Sequence, residues 1–245
     1  MSLIIVIGRG HSGTRAISHT LTASGVHMGH PLNSSGDLIP AEPMYQACRI
    51  MARHVAYRGN LQWDFDRLHN MDIDAPFVEL VETYLSSVQD GDGPQKGWKL
   101  PETILALPWI VRLFADAYYI YWVRDPRDVV LADHPTDDLR RFGIEYEPTD
   151  NVRRMRAISW KYQSQIVAAT PPPKRMITVR FEDFVLRQQN TLRQLEKFLG
   201  FGLESIDVEP ASVGRYRQDD GEHDFDFLKQ DMIRLGYITE QEATP

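Results

Sequence analysis

Residues 3 to 15, LIIVIGRGHSGTR, constrain this chain more than any other stretch. Leu3 to Ile7 are apolar without alternation, the pattern of a central strand buried on both faces. Gly8, Gly10 and Gly13 follow at once, allowing sharp turns and close ligand approach. A helical pattern begins directly behind them. Successive main-chain N–H groups in such a turn, backed by a helix N-terminus, form an anion site for a phosphate or sulfate group. The plain alternative is an ordinary strand–turn–helix with glycine at the bend. A nucleotide-triphosphate loop reads G-x-x-x-x-G-K-[ST], with the lysine on the outer phosphates and the hydroxyl on magnesium. Here the spacing starts correctly at Gly8 and Gly13, but Thr14 and Arg15 come next. The cradle is kept and the magnesium grip is lost, which favours a ligand with less charge to neutralise than ATP.

The 245 residues are 42% hydrophobic, enough for one large α/β domain over residues 1–245 with a substantial core. A formal net charge of -7 argues against a general nucleic-acid binder. Most basic residues are arginine, the side chain suited to forked contacts with phosphate and sulfate. The single Cys48 excludes an internal disulfide and points to a cytoplasmic setting, with Cys48 itself a semi-buried helix residue. The apolar run at the start is too short for a signal peptide, and no stretch is long enough to span a bilayer.

The periodicity predicts helices over Thr14–Gly25, Met44–Val55, Phe77–Val88, Thr103–Phe114, Asn151–Ala169 and Asn190–Leu199. Strands are expected at Leu3–Ile7, Trp98–Leu100, Tyr118–Val123 and Met176–Arg180. Residues 29 to 43, rich in proline and glycine, read as a loop. The alternation predicts a three-layer α/β fold, a mostly parallel sheet flanked by helices. Ligands in such sheets bind beyond the C-terminal ends of the strands. Segments 29–75 and 133–150 are expected to form the acceptor side of that site. Trp98, Trp109, Trp122 and Trp160 are expected in the core. HMGH at 27–30 lacks metal-ligand spacing, so no metal site is expected.

A second anion signal lies in YYIYWVRDPRDVV. Arg124 falls at the C-terminal end of the predicted strand, directly after Val123, with Asp125 as N-cap and Pro126 at the first helical position. Arg124 either holds a second phosphate there or forms an ion pair with Asp125, Asp128 or another carboxylate.

Together GRGHSGTR and VRDPRDVVLA resemble the two nucleotide-binding elements of sulfotransferases that use 3′-phosphoadenosine 5′-phosphosulfate. The first is similar to the loop that holds the 5′-phosphosulfate, the second to the R-x-P-x-D element that holds the 3′-phosphate. GWKLP resembles the short strand carrying a lysine near the donor. VRFEDF with TLRQLEKFLGF is similar to the third strand and its helix, and SVGRYR to the late basic loop over the nucleotide. These matches run in order from residue 3 to about 217. The resemblance implies a P-loop-like fold and metal-independent sulfuryl transfer to a hydroxyl or amine of a small-molecule, carbohydrate or lipid-like acceptor. No motif names that acceptor or an oligomeric state.

By the same resemblance, Gly10, His11, Ser12, Gly13 and Thr14 would cradle the sulfuryl oxygens, with hydroxyls from Ser12 and Thr14. His11, if protonated, or Arg9 would offset charge on the leaving phosphate, and Lys99 would do so near the bridging oxygen. Arg215 or Arg217 would help Arg124 with the 3′-phosphate. Phe181 is a candidate adenine platform. Three departures stand out. His11 replaces the usual Lys or Arg, for which Arg9 and Arg15 are near enough to substitute. Ala132 replaces a serine that bonds the 3′-phosphate, and GWKLP lacks the histidine base of well-known members. Relatives without that histidine use a carboxylate after the first motif, which makes Asp37 and Glu42 the candidates. Two other readings stay open: a P-loop small-molecule kinase, and a non-catalytic phosphoadenosine-binding protein.

Overall fold

The computed structural model describes residues 2–243. In chain order it contains β1 (Ser2–Ile7), α1 (Thr14–Ala23), α2 (Glu42–Ala52), β2 (Ala56–Tyr57), β3 (Trp63–Asp64), α3 (Asp66–Asn70) and α4 (Ala75–Gln89). There follow β4 (Gln95–Lys99), a 3₁₀ turn (Pro101–Ala106), α5 (Leu107–Leu113), β5 (Tyr118–Val123), α6 (Pro126–Val129) and α7 (Val152–Ala169). The chain continues through β6 (Met176–Arg180), α8 (Phe181–Leu186), α9 (Gln188–Leu199), α10 (Lys229–Arg234) and α11 (Glu240–Ala243).

Four strands pair in the order β4-β1-β5-β6, and every pairing is parallel. The unbroken apolar run of β1 has the predicted cause. Ile5 and Ile7 enter one hydrophobic cluster with Trp98, Tyr119, Tyr121 and residues of α2, α4 and α7. Ile4 and Val6 enter another with Ile120, Trp122, Ile17, Leu21 and residues of α8 and α9. The sheet is therefore the middle of three layers, as expected. All four tryptophans named above are buried.

Three elements differ from expectation. The strand near Trp98 runs over Gln95–Lys99, because β4 lies at the sheet edge and carries polar residues. Lys96 nonetheless buries its stem and donates to the Gln89 carbonyl at 2.5 Å. The expected helix Thr103–Phe114 opens as a 3₁₀ turn and becomes α-helical only from Leu107, with Pro108 in its first turn. Within segment 29–75, expected on the acceptor side, residues 57–75 contribute to the core instead: Leu61, Trp63, Phe65 and Leu68 are buried, and Trp63 and Phe65 pack on Tyr162.

Candidate functional site

Because all four strands are parallel, β1, β4 and β5 end on the same edge of the sheet. A cavity of about 330 Å³ opens there. Its wall combines Gly10, His11, Gly13, Thr14 and Arg15 after β1, Lys99 and Pro101 at the end of β4, and Arg124 after β5. Ser35, Asp37, His134, Ser212 and Arg215 complete it. Arg15, Lys99, Arg124 and Arg215 give this wall four cationic side chains against the single carboxylate of Asp37.

The loop after β1 is shaped by left-handed backbone at His11 (φ 59°) and Gly13 (φ 79°). Gly13 is the N-cap of α1 and supplies no side-chain cap. The N–H groups of Thr14 and Arg15, in the first turn, have no intrahelical acceptor and are available to an anion. A side chain at Gly13 would enter the Phe181 ring, with contacts of 2.3 and 2.4 Å. A side chain at Gly10 would meet the His134 ring at 2.1 Å.

Arg124 forms the ion pair with Asp128 and also lies on the cavity wall. Its Nη2 donates to Asp128 at 3.0 Å and to the Ser212 carbonyl. Its Nη1 donates to the His11 carbonyl at 3.3 Å, and Phe181 lies 4.4 Å beneath the guanidinium. Nε, though buried, has no protein partner. Burial, opposed by Asp128, lowers its pKa. Asp128 also accepts from the main-chain N–H of Gly214 (2.8 Å) and Tyr216 (3.0 Å), holding the SVGRYR segment beside Arg124. Asp125 caps α6 as expected, accepting from the Arg127 N–H at 3.0 Å.

Asp37 is delivered by a tight turn. Asn33 Oδ1 accepts from the N–H of Ser35 and of Asp37, both at 2.9 Å, and its Nδ2 donates to Asp37 Oδ2 at 2.9 Å. Lys99 Nζ then donates to Asp37 Oδ1 at 2.5 Å and to the Ser35 carbonyl at 2.8 Å. The Lys99 side chain is 2% exposed, and burial lowers its pKa against the pull of Asp37.

Four expected residues stand off the cavity wall. Arg9 is buried and paired with Asp137, and burial pushes its pKa down to about 10. Ser12 is buried, with its carbonyl accepting from Trp122 Nε1 at 2.9 Å. Glu42 is exposed at the start of α2 and pairs with Arg49 at 2.9 Å. Arg217 turns back over Tyr216, 5.4 Å from the ring centroid. His11 lies on the wall with its pKa lowered, first by burial and then by Arg9. Phe181 is buried beside Gly13 and beneath Arg124. Ala132 is half-buried and off the wall. Among the described residues no group of His, Cys, Asp or Glu is arranged to hold a metal ion. No helix among them is long and apolar enough to cross a membrane.

Sequence reasoning missed His134 and Glu102. His134 lies in segment 133–150, expected on the acceptor side but with no motif to single out this histidine, and Glu102 follows the GWKLP motif by one residue. Glu102 is 1% exposed, accepts from Tyr45 Oη at 3.1 Å, and has its pKa pushed up to about 7, mainly by burial. Unfolded, such a carboxyl loses its proton near 4.5. Between those values the folded state binds more protons, so stability falls as pH rises through them, by about 3 kcal/mol in all. Glu102→Gln is expected to abolish this slope and to be the more stable protein above about pH 7. Urea midpoints across that range check it, and an unchanged slope would place the titration elsewhere.

The fold and the site together define a parallel α/β protein whose strand ends build a cavity lined by four cationic side chains. A family model described as the sulfotransferase family matches residues 3–205, and the chain belongs to that family. Solved structures similar to it include the sulfotransferase domain from the curacin biosynthetic pathway (17% identity, TM-score 0.58, covering 97% of this chain and 99% of that one). The sulfotransferase domain of the Synechococcus PCC 7002 olefin synthase is also similar (17% identity, TM-score 0.56, 100% and 95% covered). A sulfotransferase from Alicyclobacillus acidocaldarius matches at 14% identity and TM-score 0.53, with 97% and 95% covered. At these identities the likeness is one of fold. No curated protein sequence gives a significant match.

Proposed function

We propose that this protein transfers the sulfuryl group of 3′-phosphoadenosine 5′-phosphosulfate to a hydroxyl or amine of a small-molecule, carbohydrate or lipid-like acceptor in the cytoplasm. The observation that carries this reading is the shared wall. The glycine-rich loop, Lys99 and Arg124, on three neighbouring strand ends, face one cavity. The residues fit such a donor. The loop offers N–H groups to one anionic end, while Arg124, with a buried Nε–H lacking a partner, and Arg215 offer charge to the other.

When bound, the donor supplies an activated sulfuryl group. The protein's part is positioning and charge stabilisation, as in phosphoryl transfer. The transferred group carries less charge than a γ-phosphate, so main-chain N–H groups, Thr14, Arg15 and Lys99 suffice without a metal ion. Arg9 and Ser12 support the loop from behind. Asp37 is the proton acceptor for the incoming hydroxyl or amine, because it is the carboxylate on the wall. Glu42, held by Arg49 on the surface, lies outside it.

Isothermal titration with adenosine 3′,5′-bisphosphate, with and without magnesium, tests the reading. Tight binding without magnesium is expected. Arg124→Ala is expected to weaken that ligand by about 1.5–3 kcal/mol, or about 10- to 150-fold, relative to adenosine 5′-monophosphate. Equal losses for the two ligands would remove Arg124 from the 3′-phosphate. Magnesium-dependent ATP consumption would replace sulfuryl transfer with a kinase reaction. Binding without transfer across a broad acceptor panel would make the chain a non-catalytic binder.

A further inference from the structure

His134 stands on an unusually rigid mount. Asp137 accepts from Arg9, from Arg156 Nε at 3.1 Å and from the His134 N–H at 2.9 Å. Ser159 Oγ donates to the Thr136 carbonyl at 2.6 Å, tying the same turn to α7. Arg9 therefore reaches the cavity indirectly, by fixing the segment that carries the imidazole.

The imidazole's tautomer is set by the same turn. The Thr136 main-chain N–H donates to His134 Nδ1 at 3.2 Å, and the Thr136 hydroxyl lies 3.0 Å from the same nitrogen. A nitrogen that accepts a main-chain N–H carries no proton, so a neutral His134 must carry its proton on Nε2. Nε2 lies 4.0 Å from Glu102 Oε1, beyond hydrogen-bond distance, while the ring lines the cavity and packs against Gly10 of the anion loop.

We infer that His134 acts as an uncharged hydrogen-bond donor, through Nε2–H, to an oxygen of the group in transfer. This rests on the function proposed above. The surroundings hold the ring neutral. Burial comes first, followed by Arg9 and His11 on the anion loop, Lys99 on β4, and Arg141, and together they push its pKa down to about 2. Glu102 on the 3₁₀ turn and Asp137 are the facing carboxylates, and Asp133 adjoins the segment. The ring is unsuited to be a base. Accepting a proton at Nδ1 would turn N–H against N–H at Thr136, and Nε2 already has its proton. An uncharged donor of this kind can stabilise developing negative charge without itself giving up a proton.

Two measurements decide this. Nitrogen-15 NMR of histidine-labelled protein should show His134 with the proton on Nε2 and no titration between about pH 5 and 9. A titrating ring, or a proton on Nδ1, overturns the inference. Kinetically, His134→Ala should lose about 10²–10³ in turnover with unchanged affinity for adenosine 3′,5′-bisphosphate. His134→Gln, which restores an N–H, should recover at least about tenfold, with no new limb in the pH–rate profile. A glutamine variant as inactive as alanine overturns the donor role. Failure of the wild-type protein to bind the nucleotide overturns the proposed function beneath it. Binding with a titrating His134 overturns the donor role alone.

Discussion

Asp37→Asn is expected to lower turnover by about 10²–10⁴ while the affinity for adenosine 3′,5′-bisphosphate stays the same. Sulfuryl transfer to a hydroxyl or amine leaves a proton to be removed, and a positioned general base contributes a factor of this size. Asp37 can fill that role because a carboxylate has about four acceptor positions and its visible partners occupy only part of them. Lys99 holds Oδ1 and Asn33 Nδ2 holds Oδ2, which fixes the group at the wall, where it keeps 15% exposure. Asparagine keeps the shape and an acceptor for Lys99 but has no lone pair of comparable basicity. Steady-state rates alongside nucleotide titrations check the split between chemistry and binding. Glu42→Gln distinguishes the two carboxylates. A large loss there, with Asp37→Asn unaffected, would move the base to the start of α2.

The parts of this site that lie next to each other in sequence were legible there. The strand β1, its glycine turn and the first helical turn form one local unit, and local chemistry specifies it. The same holds for Arg124, Asp125 and Pro126, where strand end, N-cap and first helical position are consecutive residues. Parallel pairing could also be anticipated, because strands separated by helices must cross over. What the sequence hid depends on distant contacts. Arg9 sits in the anion loop and reads as an anion ligand, yet it pairs with Asp137, 128 residues later. His134 enters the site because that pairing and Ser159 pull its turn against Gly10. Arg217 reads as equivalent to Arg215, but only Arg215 faces the cavity, since Asp128 fixes the turn of the SVGRYR segment. Segment 57–75 has the polarity of a loop, and its buried residues are separated by polar and charged ones without a helical period. Their burial becomes apparent only when Trp63 and Phe65 are seen against Tyr162 of α7. Between Asp37 and Glu42, five residues apart in one loop, sequence offered no choice. The distinction lies in which partner each meets, Lys99 or Arg49.

Lys99→Met is expected to lower stability by about 3 kcal/mol and to reduce turnover as well. Methionine fills the volume of the lysine stem, so packing is largely kept and the loss isolates the ammonium. Lys99 joins a strand end to a loop: its Nζ holds Asp37 and the Ser35 carbonyl, which fixes loop 29–43 against β4. Without it, a carboxylate mostly removed from water retains only the Asn33 amide as a visible side-chain donor. Removing one member of a buried pair leaves the other uncompensated, and that remainder dominates the loss. The partner change should be milder. In Asp37→Asn the ammonium keeps the Ser35 carbonyl and an amide oxygen as acceptors. A loss of about 1 kcal/mol is expected there. The two effects should not add. Asp37→Asn with Lys99→Met leaves no stranded charge, so the double variant should be more stable than Lys99→Met alone. Denaturant midpoints of the wild type, both single variants and the double variant give the coupling directly. Additive losses would mean that Lys99 and Asp37 are neighbours without being a pair. Lys99 would then be free to face the donor alone, and the base would have lost the contact that positions it.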